Sequence, residues 1–404
     1  MPPANSNSPS DRPRSRYDAI AIEGFRQFKH LNLNNLGKIN LFFGPNNAGK
    51  SSILEAIYTH ACGLNLAAVM GQVVLNRADN AVSGPLDLGE KIFSLFRDTS
   101  SLPYTFTLSA KTLDTPSPYL LKSSFHPAAE LSLLDPLGLG QLSGSFSSQT
   151  RGFTQLIPAR SPTAETRSQH RNIPDTYLGK WSVEFNGEKL ENQLYFPQFQ
   201  FEAKPQFRSA TLHEILDHRT LGEDLRIFSQ LKRYDIFGQF IAEMKQAFPE
   251  VLDIDLIPYP NGTPAPVAIA TTDGRRLPLY SFGDGMRRWF YLLGQMLIFQ
   301  NGVHCIEELE VTLHPAAQSP FIPLLVKYAN EFNNQLFVTS HSIEFADSFL
   351  EALYGENGAV VNSEEDPVRI FTIKPSAEAG IPEVWPLTGR EAYESRHKYE
   401  LELR

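Results

Sequence analysis

Cysteine is nearly absent from the chain: Cys62 and Cys305 are the only two in 404 residues. Two thiols exclude a disulfide scaffold and a four-cysteine zinc site. No uninterrupted apolar run reaches the about 18 residues that a spanning helix needs. The first 16 residues are rich in Pro, Ser and Asn, carry Arg12, Arg14 and Arg16, and lack the apolar segment of a secretory signal. These absences lead to the expectation of a cytoplasmic protein without a membrane partner, with residues 1–16 a disordered tail. Positive charge is scarce as well, with 36 Lys and Arg against 45 Asp and Glu, a net charge of −9. That balance argues against a uniformly basic coat for nucleic acid. A local basic groove stays open, because phosphates respond to the local field.

What is present is enough to build a core. Hydrophobic residues make up 42% of the chain, with 28 Phe and 14 Tyr, so whole-chain disorder is excluded. The length suggests about two to three domain-sized units. From Asp18 the pattern reads as strands at Ala19 to Ile22, Leu31 to Leu33 and Ile39 to Phe43, the last closed by a Gly-Pro-Asn-Asn turn. Ile53, Ala56, Ile57 and His60 then fall at helical spacing. Residues 64–175 are Ser-, Pro- and Gly-rich with weak periodicity. Strands are expected within them at Tyr104 to Leu108 and just beyond at Trp181 to Phe185, and a loop or insertion from Pro116 to Thr150. Residues 210–248 read as helical. Phe237, Phe240, Ile241, Met244 and Phe248 form one stripe there, and Pro249 ends it. From Ser281 onward a glycine turn, a helix and short strands alternate. Met286, Phe290, Leu293 and Leu297 are a helical stripe, and Val303 to Ile306, Leu336 to Thr339 and Val368 to Ile373 are strand-like. Two α/β segments, 17–63 and 275–404, therefore flank residues 64–274, and they must share one sheet if their motifs serve one site.

The chemistry begins at Gly44-Pro45-Asn46-Asn47-Ala48-Gly49-Lys50-Ser51, a full match to the phosphate-binding loop, with an apolar strand before it and a periodic helix after it. Backbone N–H groups of Gly44, Asn46, Asn47 and Gly49, with the start of the helix at Ser51 and Ser52, suit phosphate oxygens. Lys50 supplies a mobile cation for the β- and γ-phosphates, and the Ser51 hydroxyl a ligand for Mg²⁺. ATP and Mg²⁺ are thus the expected cofactors.

Three further pieces follow. Val303-His304-Cys305-Ile306 runs into Glu307 and Glu308, placing two acids at the carboxyl edge of a sheet. One carboxylate can hold the metal, and the other can polarise a water; Glu310, Leu313, His314 and Pro315 follow closely. Leu336 to Thr339 delivers Ser340, His341 and Ser342, with His341 a candidate contact to the γ-phosphate or the water. Ser281-Phe282-Gly283-Asp284-Gly285-Met286 opens a helix. It reads either as a second anion nest built from Ser281, Gly283 and Gly285, or as a cap formed by Ser281 or Asp284.

In this order the motifs resemble the ABC-type ATPases of the SMC and RecF kind. More narrowly they resemble the overcoming-lysogenization-defect (OLD) group and related anti-phage ATPases. The carriers are the G-x-N-x-x-G-K-S loop at 44–51 and the I-x-x-F-x-x-F pattern of Ile22, Phe25 and Phe28. The G-D-G-M signature at 283–286, the E-E-x-E-x-x-L-H-P stretch at 307–315 and the T-S-H-S switch at 339–342 complete the set. The resemblance covers 17–63 and 275–345 well and the middle loosely. It implies an α/β fold: an ABC-type P-loop head with a mixed sheet flanked by helices and a partly helical middle insertion. It implies Glu307 at the Walker B metal position, usually Asp, with Glu308 and His341 catalytic. Gln155, near Ile157 to Arg160, is the candidate for the glutamine loop. It implies a homodimer or higher even oligomer in which Ser281 and Gly283 of one chain close on the ATP of the other.

Too few residues follow His341 for the Toprim nuclease of the classical OLD proteins, so a separate nuclease or toxin is the expected partner. Asp366 and the Glu364-Glu365 pair read as a solvated acidic loop rather than metal ligands. Two alternatives remain: a RecF/SMC-like DNA-repair ATPase that clamps DNA, and a non-catalytic nucleotide-binding scaffold. For the first, Arg167, Arg171, Lys204, Arg208, Arg226, Lys232 and Arg233 are interspersed with acids, which leaves the sign of that surface open.

Overall fold

The computed structural model describes residues 16–75, 84–115, 117–128, 176–202, 204–220, 222–257, 265–313, 315–356, 358–360, 365–376 and 378–399. The expected tail at 1–15, Gln155, Ile157 to Arg160, Arg167, Arg171, His314 and Glu364 lie outside them. Among the described residues no helix is long and apolar enough to cross a membrane.

Two six-stranded sheets and a small three-stranded one organise the chain. The first is antiparallel, in the order β2 (Phe28–Leu33), β1 (Tyr17–Phe25), β4 (Tyr104–Thr112), β5 (Tyr119–Pro127), β6 (Thr176–Phe185) and β7 (Glu188–Phe196). The second runs β15 (Glu383–Thr388), β14 (Val368–Lys374), β3 (Ile39–Phe43), β13 (Gln335–Ser340), β12 (Val303–Ile306) and β8 (Ala210–His213). All of its pairs are parallel except β14 with β15. The sheet is therefore mixed, as expected, and the two α/β segments do meet in it. The third sheet, β11 (Arg276–Pro278), β10 (Val267–Thr271) and β9 (Val251–Leu256), precedes the signature segment.

Sequence explains why β3 lies in the middle. Every residue of Ile-Asn-Leu-Phe-Phe is buried, the mark of a parallel strand covered on both faces. Alternate side chains serve different cores. Phe42, Phe337 and Cys305 pack toward the antiparallel sheet and helix α1 (Lys50–Cys62). Leu41, Phe43, Val338 and Ile306 pack toward the helices on the opposite face. Those helices are α4 (Glu223–Arg233), α5 (Phe237–Ala247), α6 (Asp284–Ile298), α7 (Pro315–Glu331) and α8 (Ile343–Tyr354); α2 (Leu66–Val69) and α3 (Pro85–Phe93) lie beside the antiparallel sheet, and α9 (Gly389–Tyr399) follows β15.

Two local expectations change. Ala210–His213 opens no helix: it is β8, an edge strand beside β12, followed by a 3₁₀ turn at Asp217–Arg219, and the α-helices begin at Glu223. Thr211 has the β-branch that favours a strand, and the run is too short to show a period. Tyr119–Pro127, inside the expected loop, is β5, registered residue by residue against β4 and β6. Its Leu121, Ser123 and Phe125 face inward in alternation, a pattern diluted by the polar Ser123.

One buried amide joins the sheets. Gln335 Oε1 accepts from the Tyr17 N–H at 2.8 Å, and Nε2 donates to the carbonyls of Tyr17 and Gly37, both at 2.9 Å. Gln335→Leu keeps the volume but leaves those backbone groups buried and unpaired. The expected loss is about 2–4 kcal/mol of unfolding free energy in a denaturant titration. A loss under about 0.5 kcal/mol would show that the sheets are held by apolar packing alone.

Candidate functional site

The carboxyl ends of β3, β13 and β12 are neighbours, so the phosphate loop, the Thr-Ser-His-Ser segment and the acidic pair emerge side by side. Gly44, Gly49 and Lys50 are buried and Asn46 and Asn47 exposed, while Ser51 and Ser52 begin α1. Lys50 Nζ donates to the carbonyls of Gly44 at 2.8 Å and Pro45 at 3.1 Å. Burial lowers its proton affinity, and the charges of Glu308 and Glu310 oppose that shift, so all three belong to one electrostatic site. Gly49 is in the left-handed region at φ 91°, and a β-carbon there would run into Gln27 and the Phe28 ring. The β1–β2 turn thus presses on the loop, with Gln27 Nε2 donating to the Asn47 carbonyl at 3.3 Å. This gives the Ile22, Phe25, Phe28 pattern a physical reason: Phe28 backs the glycine that lets the loop close.

The acidic pair divides. Glu308 has φ 45°, an unfavourable backbone for a residue with a β-carbon. Its neighbours hold it there. Its N–H donates to Thr339 Oγ1 at 3.0 Å, and its carbonyl accepts from Arg288 Nη2 at 3.1 Å. The same Nη2 donates to the Glu307 carbonyl at 2.7 Å, and Nη1 to the Ile215 carbonyl. Arg288 is 1% exposed and comes from α6, so the helix that carries the signature also grips the turn that carries the acids. Glu308, Glu310 and His341 form one cluster whose potential ligand atoms lie within 4.8 Å of one another. His341 Nδ1 is hydrogen-bonded to Glu308 Oε2, and Glu310 Oε1 lies 3.5 Å from the same nitrogen. Glu307 stands outside this cluster, with its N–H on the His213 carbonyl at 2.9 Å.

Ser281, Gly283 and Gly285 lie elsewhere. Leu279–Ser281 is a 3₁₀ turn, and the helix starts at Asp284 with Gly283 as its N-cap and no side-chain cap. Neither Ser281 nor Asp284 is therefore the cap. Ser281 and Gly283 are exposed, and no hydrogen bond joins 281, 283 or 285 to the phosphate loop. Asp284 is occupied by Arg219, whose guanidinium holds the carboxyl below its ordinary range, with His218 beside it at 3.4 Å. A β-carbon on Gly285 would come within 3.0 Å of the Thr312 carbonyl, so the signature start rests on the segment that follows the acids.

Sequence reading did not single out Arg288 or Gln27, named Thr339 only as the first residue of the Thr-Ser-His-Ser switch, and noted Glu310 only in passing. Arg288 falls on the side of α6 opposite the Met286, Phe290, Leu293 and Leu297 stripe, so that stripe carries no signal for it.

Two family models match. One is described as "AAA domain, putative AbiEii toxin, Type IV TA system" and covers residues 149–347; the other, "AAA domain", covers 19–59. Between them they contain the phosphate loop, the acidic pair and His341. The chain is 22% identical over 356 residues to an "ATP/GTP phosphatase" of Helicobacter pylori, covering 81% of this chain and 86% of that protein. It is 39% identical over 64 residues to the DNA replication and repair protein RecF of Shewanella baltica, 16% of this chain and 18% of that one. Among solved structures it is similar to an SMC head bound to the C-winged helix domain of ScpA. The TM-score is 0.50 and the identity 13%, with 94% of this chain and 99% of that chain covered. The fold is that of an SMC ATPase head, with its sheets flanked by helices.

Under α6 lies a titrating group. Asp217 Oδ2 accepts from the Glu214 N–H at 2.8 Å and from the Tyr291 hydroxyl at 3.3 Å. Burial pushes the carboxyl up to about 6; Glu223 adds to the rise, while those two donors and Arg288 oppose it. A raised acid favours the folded state when protonated, so that contribution is full below about pH 4 and is lost as pH rises through about 6. Asp217→Asn mimics the protonated form. Relative to wild type the variant should gain about 1 kcal/mol in unfolding free energy between pH 5 and 8. A constant difference across that range would place an ordinary, solvated carboxylate at 217.

Proposed function

We propose that this chain, an ATPase of the AAA/SMC/RecF class, hydrolyses ATP between two copies of itself and uses the cycle to control a separate nuclease or toxin. The observation that carries the enzymatic part is the Glu308–His341 pair, held beside Lys50 at the carboxyl edge of three neighbouring strands. In this reading the loop N–H groups of 44–51 and the first turn of α1 cradle the phosphates. Lys50 places its ammonium on the β/γ-phosphates, Glu308 accepts the proton of the attacking water, and His341 hydrogen-bonds the γ-phosphate. Mg²⁺ suits the donor set: the Ser51 hydroxyl and the Glu307 carboxylate are hard oxygen ligands, the first on α1 and the second directly after β12, the strand that packs on α1. Once bound, the ion neutralises charge on the β- and γ-phosphates.

A non-catalytic scaffold would have no use for a strained Glu308 backbone held by Arg288 and Thr339. The effector part rests on the resemblance to the OLD group and on the toxin–antitoxin wording of the matched family. The second reading, a DNA clamp, draws on the likeness to RecF. Its basic residues are mostly engaged otherwise. Lys204 pairs with Glu188 and Glu202, Arg226 pairs with Glu223, Arg208 is buried over the Tyr17 ring, and Lys232 sits 3.6 Å from the centre of the Phe237 ring.

Lys50→Ala should abolish ATP binding by equilibrium fluorescence, and Glu308→Gln should retain binding while lowering turnover by about a hundredfold or more. Unchanged affinity in the first variant, or undiminished turnover in the second, refutes the assignment. Glu307→Gln should instead weaken the Mg²⁺ dependence.

The shared site has its own test. The exposed Ser281 and Gly283 offer a hydroxyl and a backbone N–H that make no hydrogen bond among the described residues. Lys50→Ala and Ser281→Ala chains, each inactive alone, should on mixing recover up to about a quarter of wild-type activity, since each mixed dimer then holds one intact site. If the mixed variants pair but a nucleotide-bound structure shows ATP remote from any partner Ser281, the shared site is wrong.

A further inference from the structure

Glu310 is the third acid at the site, and phosphate binding and proton transfer leave it without a role. Its side chain is only 8% exposed, whereas that of His341 is 50% exposed. Little packing holds the histidine ring, and a half-exposed side chain retains rotamer freedom that must be lost before it can act.

We propose that Glu310 is the positioning residue that sets His341 against Glu308, an inference that rests on the ATPase reading of this site. Its Oε1 accepts from the Ser340 hydroxyl at 2.7 Å and from the His341 backbone N–H at 3.1 Å. These two hydrogen bonds tie the end of β13 to the turn after β12, so Glu308 and His341 keep their separation when either segment moves. The same Oε1 lies 3.5 Å from His341 Nδ1, whose hydrogen-bond partner is Glu308. Two carboxylates beside Nδ1 keep that nitrogen a proton donor. The ring plane is thereby fixed, and Nε2 faces away from the acids; with both ring nitrogens protonated it donates to a phosphate oxygen while Nδ1 donates to the carboxylates.

The cost of Glu310 supports a role in function rather than in stability. Its Oε2 is buried with no hydrogen-bond partner among the described residues. A buried carboxylate with one unsatisfied oxygen is a poor stabilising device. Thermal stability should therefore change little, or rise, when the charge is removed.

The test is steady-state ATP hydrolysis by the full chain with Mg²⁺, comparing wild type, Glu310→Ala, Glu310→Gln, His341→Ala and the double variant Glu310→Ala/His341→Ala. Glu310→Ala should lower kcat by about tenfold or more, with KM and the Kd for a fluorescent ATP analogue within about twofold of wild type. Glu310→Gln keeps a carbonyl acceptor for Ser340 and the His341 N–H, and should recover to within about threefold. The decisive result is the double variant. If Glu310 acts through His341, it is no slower than His341→Ala alone. Multiplying effects, a parallel loss of nucleotide affinity, or wild-type turnover in Glu310→Ala would overturn the proposal. Inactivity of the wild-type chain would instead remove the ATPase reading beneath it.

Discussion

The parallel hydrogen bonding of β13 to β3 on one side and β12 on the other is the constraint on which the site depends. It pairs Ser340 with Phe43 and Val338 with Ile306, so the segments after these strands leave the sheet at nearly one level. A slip of one residue in either pairing would exchange the two faces of β13 and send Phe337 into the wrong core. The two-sided burial of Leu336, Phe337 and Val338 penalises such a slip. Apolar packing remote from the chemistry therefore sets the distance between Lys50, Glu308 and His341. Gln335, at the start of the same strand, extends this control to the antiparallel sheet through Tyr17.

A second constraint comes from α6. Arg288 is buried and donates to the carbonyls of Glu307 and Glu308, while the adjacent Arg287 lies 3.6 Å from Asp284 at the start of the helix. A rigid helix joins the two ends, so a shift of the signature start is carried to the backbone of the acids. Glu308 is the sensitive point, because its left-handed backbone is stable only while its N–H and C=O are both held. In the proposed dimer, a ligand that pulls on Gly283 and Gly285 of one chain would bias the geometry of that chain's own Glu308. Such a bias requires a ligand with different affinities for the two arrangements, which a phosphate bound only after closure would have.

The sequence carried the parts of the fold whose signals are local. The phosphate loop, the strand before it and α1 were legible because Gly44, Gly49 and Lys50 occur at a spacing fixed by the phosphates themselves. The stripe of Met286, Phe290, Leu293 and Leu297 marked α6, and the apolar run at Val303 to Ile306 marked β12. Tertiary features escaped. Ala210–His213 becomes a strand because β12 offers a free edge, which four residues cannot announce. β5 was hidden because its inward Ser123 accepts from the buried Trp181 indole at 2.9 Å, a polar contact that breaks the alternation. Arg288 and Glu310 escaped for one reason: their partners are backbone groups and side chains from distant segments, invisible to any periodicity. The family resemblance supplied the order of the motifs but could not show that Glu310, not Glu307, shares the cluster with Glu308 and His341.

Charge balance at the site explains why nucleotide binding in the proposed cycle should depend on other positive groups. Glu307, Glu308 and Glu310 crowd the carboxyl edge; Lys50 feels the charges of Glu308 and Glu310, and the buried Arg288 those of Glu310 and Glu307. A triphosphate brings further negative charge to an edge that already carries three carboxylates. At separations of several ångströms in a partly dry site, like charges repel by amounts comparable with a whole binding free energy. The positive end of α1 offsets part of that repulsion. The remainder calls for a divalent cation between acid and phosphate and for more backbone donors over the γ-phosphate. The chain presents such donors at the start of α6, exposed and not hydrogen-bonded to its own phosphate loop. A second copy that brings its own α6 to the nucleotide would supply them. Loss of the γ-phosphate would then remove the group that both surfaces share, so hydrolysis would weaken the closed dimer by the same electrostatics that formed it.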